Sequence, residues 1–332
     1  MFKKALKIIG YVILAIIAIF IIAWQFDYST ASGPVWGATF SEYYAKDLLK
    51  IDWQKAYEAI LSELNFKELR LAAYWEYLEP AQGTLDFKDL DWQIQEAKKF
   101  GKDIVLDVGY RLPRWPECHE PDWAKKLSAS DFKKSLFDYM SGVVNRYKDE
   151  SSIKMWQVEN EPFLSTFGEC PPLDPNLLKE EIGLVKSIDS SRPVMVTDTG
   201  ELSFWLRTAG YGDVLGTTLY RVVWSSLLGK FRHFLPPAFY TWRAWIMENL
   251  LGTKDVIVAE LQAEPWAVNN ASLSNIAFDK QMENLSLDDM RDIISFVKKT
   301  GLKEAYLWGP EWWYYREING DPSWMEFGKT LK

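Results

Sequence analysis

Residues 156–162 are Trp-Gln-Val-Glu-Asn-Glu-Pro, and this stretch marks the end of a strand. The apolar run Ile153–Val158 predicts a short buried strand, which the proline at position 162 cannot continue because it has no N–H donor. Asn160 and Glu161 therefore lie where the strand gives way to a loop. In a parallel α/β barrel this edge carries the catalytic residues. A plain surface glutamate at a strand end is the alternative that this stretch alone leaves open.

Short apolar segments alternate with amphipathic helical segments on both sides of this strand. Strands are predicted at residues 35–40, 69–74, 103–108, 153–158, 193–197, 214–220, 255–260 and 303–308. Helices are predicted at residues 52–64, 90–100, 131–147, 175–188, 237–250 and 286–300, with a short terminal helix from Ser323. Eight strand–helix units predict an α/β fold, a (β/α)8 TIM barrel formed by residues 35–332. A doubly wound sheet is the alternative, but it usually begins with a Gly-rich turn that this sequence lacks.

The composition narrows the function classes. The chain has 332 residues, 48% hydrophobic and 25% charged, which suits a globular protein of one large barrel or two ordinary domains. The net charge of −8 argues against a nucleic-acid partner. An aromatic content of 15% exceeds the needs of a core, and flat rings suit the apolar faces of sugars. Two cysteines and two histidines leave little material for a metal site, so we predict no metal or other cofactor.

The first residues have the pattern of a membrane segment. Three lysines within the first seven residues precede an apolar run at residues 8–24, and aromatic residues follow it. This order predicts a helix that crosses the lipid bilayer with its N-terminus in the cytoplasm. A cleaved signal peptide is the alternative, but the run is long for one and no small-residue cleavage site follows it. We therefore predict an anchor within residues 1–28, a linker at residues 29–34 and an extracytoplasmic barrel.

The carboxyl ends of the predicted strands bring together two carboxylates, an amide, a phenol and several indoles. These residues are Trp75, Trp115, Asn160, Glu161, Tyr220, Glu260 and Trp308. No Ser–His or Cys–His pair accompanies them in the sequence at these ends. Paired carboxylates between aromatic rings fit the cleavage of a glycosidic bond, in which one protonates the leaving oxygen and the other attacks or stabilises the sugar carbon.

At these positions the chain resembles the clan A retaining glycoside hydrolases, a (β/α)8 superfamily that contains family 5 cellulases, β-galactosidases and β-xylanases. The matching stretches are residues 156–162, 256–260, 75–87 and 306–309. The resemblance covers nearly all of residues 35–313. It implies a retaining glycosidase that cleaves a β-glycosidic bond of an oligosaccharide or polysaccharide by double displacement.

The resemblance also implies which residues react. Glu161 is the expected acid/base and Glu260 the expected nucleophile, with their carboxyl groups about 5–5.5 Å apart. Asn160 is expected to bind the sugar hydroxyl next to the reacting carbon. Glu264 is the alternative nucleophile, and we favour Glu260 because it directly ends the apolar strand. Glu159 alternates to the opposite side from its neighbours, which predicts a structural role.

Further residues are expected to bind the substrate or to hold the nucleophile. Arg70 and Tyr220 are expected to keep the nucleophile ionised, and Trp308 to form the floor of the reacting subsite. A guanidinium within an apolar strand needs a partner, which agrees with this role for Arg70. The additional indoles expected as sugar platforms are Trp75, Trp115 and Trp266.

The two cysteines are expected to pair. Cys118 and Cys170 lie in the loops after the third and fourth predicted strands, which are neighbours in a barrel. An extracytoplasmic compartment is oxidising, which favours a disulfide. Two free thiols are the alternative.

Two other functions fit the same sequence. One is a catalytically inactive barrel that binds glycans through its aromatic residues, although both carboxylates are present. The other is a membrane-tethered scaffold whose partner docks on residues 222–245, an aromatic segment that could instead touch the bilayer surface. Glucan, mannan, xylan and galactan all fit as substrates, in endo or exo action. We predict a monomer.

Overall fold

The computed structural model describes residues 2–166, 168–225, 229–266 and 273–331. The strands are β1 (Val35–Phe40), β2 (Glu68–Ala72), β3 (Asp103–Val108), β4 (Ile153–Val158), β5 (Val194–Asp198), β6 (Val214–Leu219), β7 (Val222–Ser225), β8 (Gly229–Arg232), β9 (Asp255–Gln262) and β10 (Glu304–Trp308). The α-helices are α1 (Phe2–Trp24), α2 (Trp53–Glu63), α3 (Trp75–Leu78), α4 (Lys88–Lys99), α5 (Ala129–Tyr147), α6 (Pro175–Ile188), α7 (Pro237–Leu250), α8 (Leu287–Thr300), α9 (Pro310–Ile318) and α10 (Ser323–Lys329).

Eight of the strands close into a barrel in the order β1-β10-β9-β6-β5-β4-β3-β2. Each neighbouring pair is parallel. The (β/α)8 barrel predicted from the alternation of strands and helices is confirmed. The predicted bounds agree for β1, β3 and β4, whereas β9 continues two residues beyond the predicted end, to Gln262. Glu260 therefore lies within its strand.

Apolar side chains fill the interior of the barrel. They are Val105, Met155, Met195, Val214, Ile257, Ala259 and Tyr306, which form one buried cluster. At the amino ends of the strands, Lys154 lies 2.7 Å from Glu68 and 2.8 Å from Glu304. The barrel is thus a packed core with an ionic cluster at one end, so a ligand has room only near the other end.

The sequence does not predict the hairpin of β7 and β8 or the helix α9. The hairpin is antiparallel, with Val222 opposite Arg232. Each strand has 4 residues, which is too few for an alternation of apolar and polar residues to mark it. The hairpin follows β6 directly and lies at the carboxyl ends of the barrel strands.

The N-terminal helix α1 contacts the barrel through aromatic side chains. The rings of Phe20 and Trp24 lie 5.1 Å and 5.2 Å from that of Trp242 in α7, between centroids. The indole N–H of Trp242 donates a hydrogen bond to the hydroxyl of Tyr28 at 2.8 Å. Among the residues that the structure describes, no helix is long and apolar enough to cross a membrane. The anchor predicted for residues 8–24 has no support in this structure.

Candidate active site

A cavity of about 430 Å³ opens at the carboxyl ends of the barrel strands. Glu161 and Glu260 both line it. So do several of the other residues at the strand ends and in the following loops: Tyr44, Arg114, Trp115, Glu117, Tyr220, Glu264, Trp266 and Trp308. The volume is that of a small-molecule site. The two predicted catalytic glutamates therefore share one pocket.

A β-bulge precedes Glu260. Thr217 of β6 pairs with Val258, and Thr218 pairs with Glu260, which leaves Ala259 as an extra residue between them. A bulge of this kind bends the strand and changes the direction of the following side chain. The sequence contains no signal for it, because Ala259 continues the apolar run.

Two donors hold the carboxylate of Glu260. Its Oε1 accepts a hydrogen bond from Nη1 of Arg70 at 3.0 Å, and its Oε2 accepts one from the hydroxyl of Tyr220 at 3.0 Å. The structure brings these three residues together as the sequence predicts. Hydrogen bonds to both oxygens hold the carboxyl group of Glu260 in one orientation.

The guanidinium of Arg70 also fixes the residues around the nucleophile candidate. Its Nε donates to Oε1 of Gln157 and its Nη2 to Oδ1 of Asn160, each at 2.7 Å. Asp107 lies 3.8 Å from the same Nη2, and burial raises the pKa of this aspartate well above its usual value. Arg70 is fully buried, so its rigid planar fork is a fixed template for these side chains.

The chain turns sharply at the end of β4. Glu159 and Glu161 have positive φ angles of 61° and 44°, which non-glycine residues rarely adopt. The backbone N–H of Glu161 donates to Oγ1 of Thr197 at 2.7 Å, and that of Asn160 donates to the carbonyl of Arg111 at 2.6 Å. These bonds keep the strained turn in place. Strain of this kind is frequent at functional sites.

The charges around Glu161 favour its neutral form. Burial is the main cause that raises the pKa of Glu161 well above its usual value, and the negative charges of Glu260 and Glu117 add to it. Glu161 thus differs from Glu260, which has two donors of its own. Two carboxyl groups in different surroundings within one pocket are an arrangement that acid/base chemistry can use.

Glu159 points away from the cavity. Its carboxylate accepts hydrogen bonds from the backbone N–H groups of Tyr110 at 3.0 Å and Arg111 at 2.7 Å. Gly109 makes room for it, since a Cβ at that position would lie 2.3 Å from Oε1 of Glu159. Burial raises the pKa of Glu159 to about 8. Glu159 ties the loop after β3 to β4, a structural role in line with the sequence prediction.

Glu117 lines the cavity but is not among the residues that the sequence predicted for the site. Its Oε2 accepts a hydrogen bond from Nδ2 of Asn160 at 3.3 Å, and burial raises its pKa to about 7. The available signal is its place beside Cys118, whose disulfide with Cys170 is present as predicted, with the Cα atoms 5.0 Å apart. That disulfide joins the loops after β3 and β4 and holds Glu117 near Asn160.

Arg114 was also not predicted in this role. Its guanidinium carbon lies 3.7 Å from the ring centre of Tyr44 and 4.1 Å from that of Trp308. It pairs with Glu264, and at 3.3 Å with Glu311. Glu264 therefore serves as an ion-pair partner for Arg114. Glu311 is completely buried, with burial raising its pKa to about 7.

The predicted tryptophan platforms have different surroundings. Trp115 is 40% exposed and lines the cavity. Trp266 lies edge-on to the ring of Tyr220, with 5.5 Å between their centroids. Trp75 is fully buried, stacks on Tyr139 and donates its N–H to Glu79 at 2.7 Å. The prediction that Trp75 binds sugar needs correction, because its ring belongs to the packing between the barrel and α5.

Comparisons with known proteins agree with this geometry. The pattern of Glycosyl hydrolase family 10 matches residues 47–170, which include Glu161. Endo-1,4-beta-xylanase 3 of Hypocrea jecorina is 29% identical over 158 residues, 46% of this chain and 42% of the xylanase. Beta-galactosidase BgaA of Clostridium cellulovorans is 20% identical over 326 residues, 88% of this chain and 47% of that protein. The chain thus spans less than half the length of these two relatives.

A solved structure shows the same fold. The GH5_18 protein from Bifidobacterium longum subsp. infantis superimposes with a TM-score of 0.58 at 13% identity, over 83% of this chain and 69% of that one. At this identity the likeness establishes the fold alone. Together with the closed barrel, the family match and the relatives support a (β/α)8 fold of the clan A glycoside hydrolase kind.

Proposed function

We propose that this chain is a retaining β-glycosidase in which Glu260 is the nucleophile and Glu161 the acid/base. The observation that carries the proposal is the setting of Glu260, which accepts hydrogen bonds from Arg70 and Tyr220 at 3.0 Å each. A carboxylate that two donors fix beside a cavity is suited to attack a sugar carbon.

Glu161 supplies the proton in this proposal. Its raised pKa lets it hold a proton at neutral pH. It protonates the glycosidic oxygen while Glu260 attacks, so the leaving group departs as an alcohol and a glycosyl–enzyme ester forms. Glu161 then takes a proton from a water molecule. The oxygen of that water attacks the sugar carbon, and the bond between the sugar and Glu260 breaks. Across both steps one water molecule is added to the glycosidic bond.

Retention is proposed over inversion. A retaining pair has carboxyl groups about 5–5.5 Å apart, whereas an inverting pair needs about 6.5–9.5 Å to admit a water molecule. The negative charge of Glu260 is one cause of the raised pKa of Glu161, so the two carboxyl groups lie near each other, and the resemblance to retaining enzymes favours the shorter separation. Both groups also line the same cavity of about 430 Å³.

The test is hydrolysis by the purified chain of aryl β-glycosides of glucose, galactose, mannose and xylose. Proton NMR identifies the anomer that forms first, and the proposal expects the β anomer. A first-formed α anomer contradicts the retaining mechanism. Glycan binding without hydrolysis of any of these substrates supports the catalytically inactive glycan-binding barrel instead. The names of the relatives, a xylanase and a β-galactosidase, place xylosides and galactosides first in the panel.

We also propose that the barrel works outside the cytoplasm. The Cys118–Cys170 disulfide supports this, because cytosolic thiols are kept reduced. The proposal is tested by denaturing the cells without a reductant and labelling the thiols of the protein under these conditions. No labelled thiols are expected, and two labelled thiols per chain contradict it.

A further inference from the structure

The cavity has two chemically different ends. One end lies beside the loop after β3 and the end of β10, and it carries Arg114, Glu117 and Glu264. Trp308 adds a flat indole beside the guanidinium of Arg114. A sugar ring needs polar partners for its hydroxyl groups and a flat partner for its C–H groups. The sugar that reacts therefore fits this end.

The other end lies at the loops after β5 and β6, and β9 with Glu260 separates it from the first in the strand order. Four of the side chains that line this end are apolar, namely Leu202, Val223, Trp224 and Phe231, and Thr199, Thr218 and His233 line it beside them. Glu201 also lines it, but Oε1 of Glu201 already accepts from the N–H of Tyr220 at 2.9 Å and from the hydroxyl of Tyr240 at 2.5 Å.

Apolar side chains continue from this end onto the surface. In the loop after β5, Leu202 is 60%, Phe204 72% and Leu206 64% exposed, and Phe234 after β8 is 92% exposed. Single exposed apolar residues are ordinary, whereas a group of them next to a pocket marks a binding surface. Leu202 belongs to both the pocket wall and this surface, which makes the two continuous.

We propose that the leaving group of the substrate is a long apolar chain, so that the substrates are alkyl-chain β-glycosides, the chemistry of a glycolipid. This rests on the proposed function, because Glu161 has to protonate the oxygen that joins the chain to the sugar. The sugar lies beside Arg114, and the chain runs past Phe231 and over Leu202. Hydrolysis transfers the sugar to water and releases the chain as an alcohol.

An oligosaccharide leaving group fits this end poorly. Its hydroxyl groups would exchange water for the side chains of Val223, Trp224 and Phe231, which offer no acceptor. A buried hydroxyl without a hydrogen-bond partner costs free energy. An alkyl chain on the same surface instead gains free energy with every methylene that leaves water.

The experiment compares leaving groups on one sugar, using the full chain. Substrates are the glycosyl fluoride, which has no organic leaving group, the methyl, octyl and dodecyl β-glycosides below their micelle concentrations, and the matching disaccharide. Variants are Leu202→Ser and Phe231→Ser. Leu251→Ser is the matched control, since Leu251 is an exposed leucine that does not line the cavity.

For the wild type, kcat/KM is expected to rise at least about tenfold from the methyl to the octyl glycoside and to exceed that of the disaccharide, since apolar contacts in a pocket discriminate by about this factor. Leu202→Ser and Phe231→Ser should flatten the rise, whereas Leu251→Ser should keep both the rise and the fluoride turnover. Fluoride turnover without a rise, or with the disaccharide preferred, overturns the alkyl-chain proposal and leaves the glycosidase intact. Absence of fluoride turnover overturns both.

Discussion

The two ends of this barrel each hold an ionic cluster. The clusters differ in whether their residues line a cavity. At the amino ends of the strands, Lys154 contacts Glu68 at 2.7 Å and Glu304 at 2.8 Å. The hydroxyl of Tyr306 donates to both carboxylates. None of these four residues lines the catalytic cavity. This cluster fills the amino-terminal end of the barrel.

At the carboxyl ends, Arg70 is the central cation and is completely buried. It contacts Glu260 at 3.0 Å and Asp107 at 3.8 Å, but Glu161 and Glu117 also lie in the cavity. Carboxyl groups therefore outnumber the cation, and burial raises the pKa of Asp107, Glu117 and Glu161. The two ends therefore differ in that Lys154 pairs with both Glu68 and Glu304 at the amino ends, whereas Glu161 and Glu117 line a cavity at the carboxyl ends.

The largest expected effect comes from the nucleophile. Glu260→Gln should lower kcat on aryl β-glycosides by about 10⁴-fold or more, because the covalent step is lost. Initial rates measure it, and circular dichroism checks folding. Glu264→Gln tests the alternative nucleophile, since Glu264 lines the same cavity as an ion-pair partner of Arg114. Wild-type turnover by Glu260→Gln, with loss in Glu264→Gln, would exchange the two assignments.

Glu161→Gln should slow substrates with poor leaving groups by about 10²–10⁴-fold and activated aryl glycosides much less, because activated leaving groups need little protonation. The pKa of Glu161 is raised, and its protonated form is the active acid. Wild-type kcat/KM should therefore fall as the pH rises through that pKa. The variant should lose this alkaline limb. A pH profile that the substitution leaves unchanged argues against Glu161 as the acid.

Arg70→Met and Lys154→Met compare the two clusters directly. Arg70→Met leaves Glu260 and Asp107 buried without their cation, so the free energy of unfolding should fall by about 3–5 kcal/mol, with activity lost. Lys154→Met removes charged hydrogen bonds at the closed end, so stability should fall by about 1–3 kcal/mol with kcat/KM preserved. Urea unfolding and initial rates measure both. Arg70→Lys, which keeps the charge, separates activity loss from unfolding. Equal activity losses in Arg70→Met and Lys154→Met would contradict the expectation that only the cluster around Arg70 affects activity.

The disulfide beside the open end is expected to affect both stability and KM. Replacing Cys118 and Cys170 together with Ala should lower the free energy of unfolding by about 2–4 kcal/mol, because the unfolded chain gains freedom. The value of KM should rise, since the bond holds Glu117 near Asn160. Thermal unfolding with and without dithiothreitol measures the stability. Reductant should destabilise the wild type and leave the double variant unchanged, and an unaffected wild type contradicts the role of the bond.

The sequence by itself determined the barrel and the cysteine pair, and it placed Glu161 and Glu260 at the carboxyl ends of their strands. The periodic spacing of apolar residues predicts the alternating strands and helices, and this spacing depends only on residues close together in the chain. Pro162 ends β4 and so places Asn160 and Glu161 at the site edge. The pairing of Cys118 with Cys170 follows from the rule that successive strands lie side by side.

Only the tertiary structure decided the surroundings of those residues. The bulge at Ala259, the position of Arg114 between Tyr44 and Trp308, and the burial of Trp75 all depend on contacts between segments far apart in the chain. A tryptophan after a strand looks the same in sequence whether it faces the cavity or a helix. Strand register and bulges choose between the two, because a shift of one residue turns a side chain to the other face of the sheet.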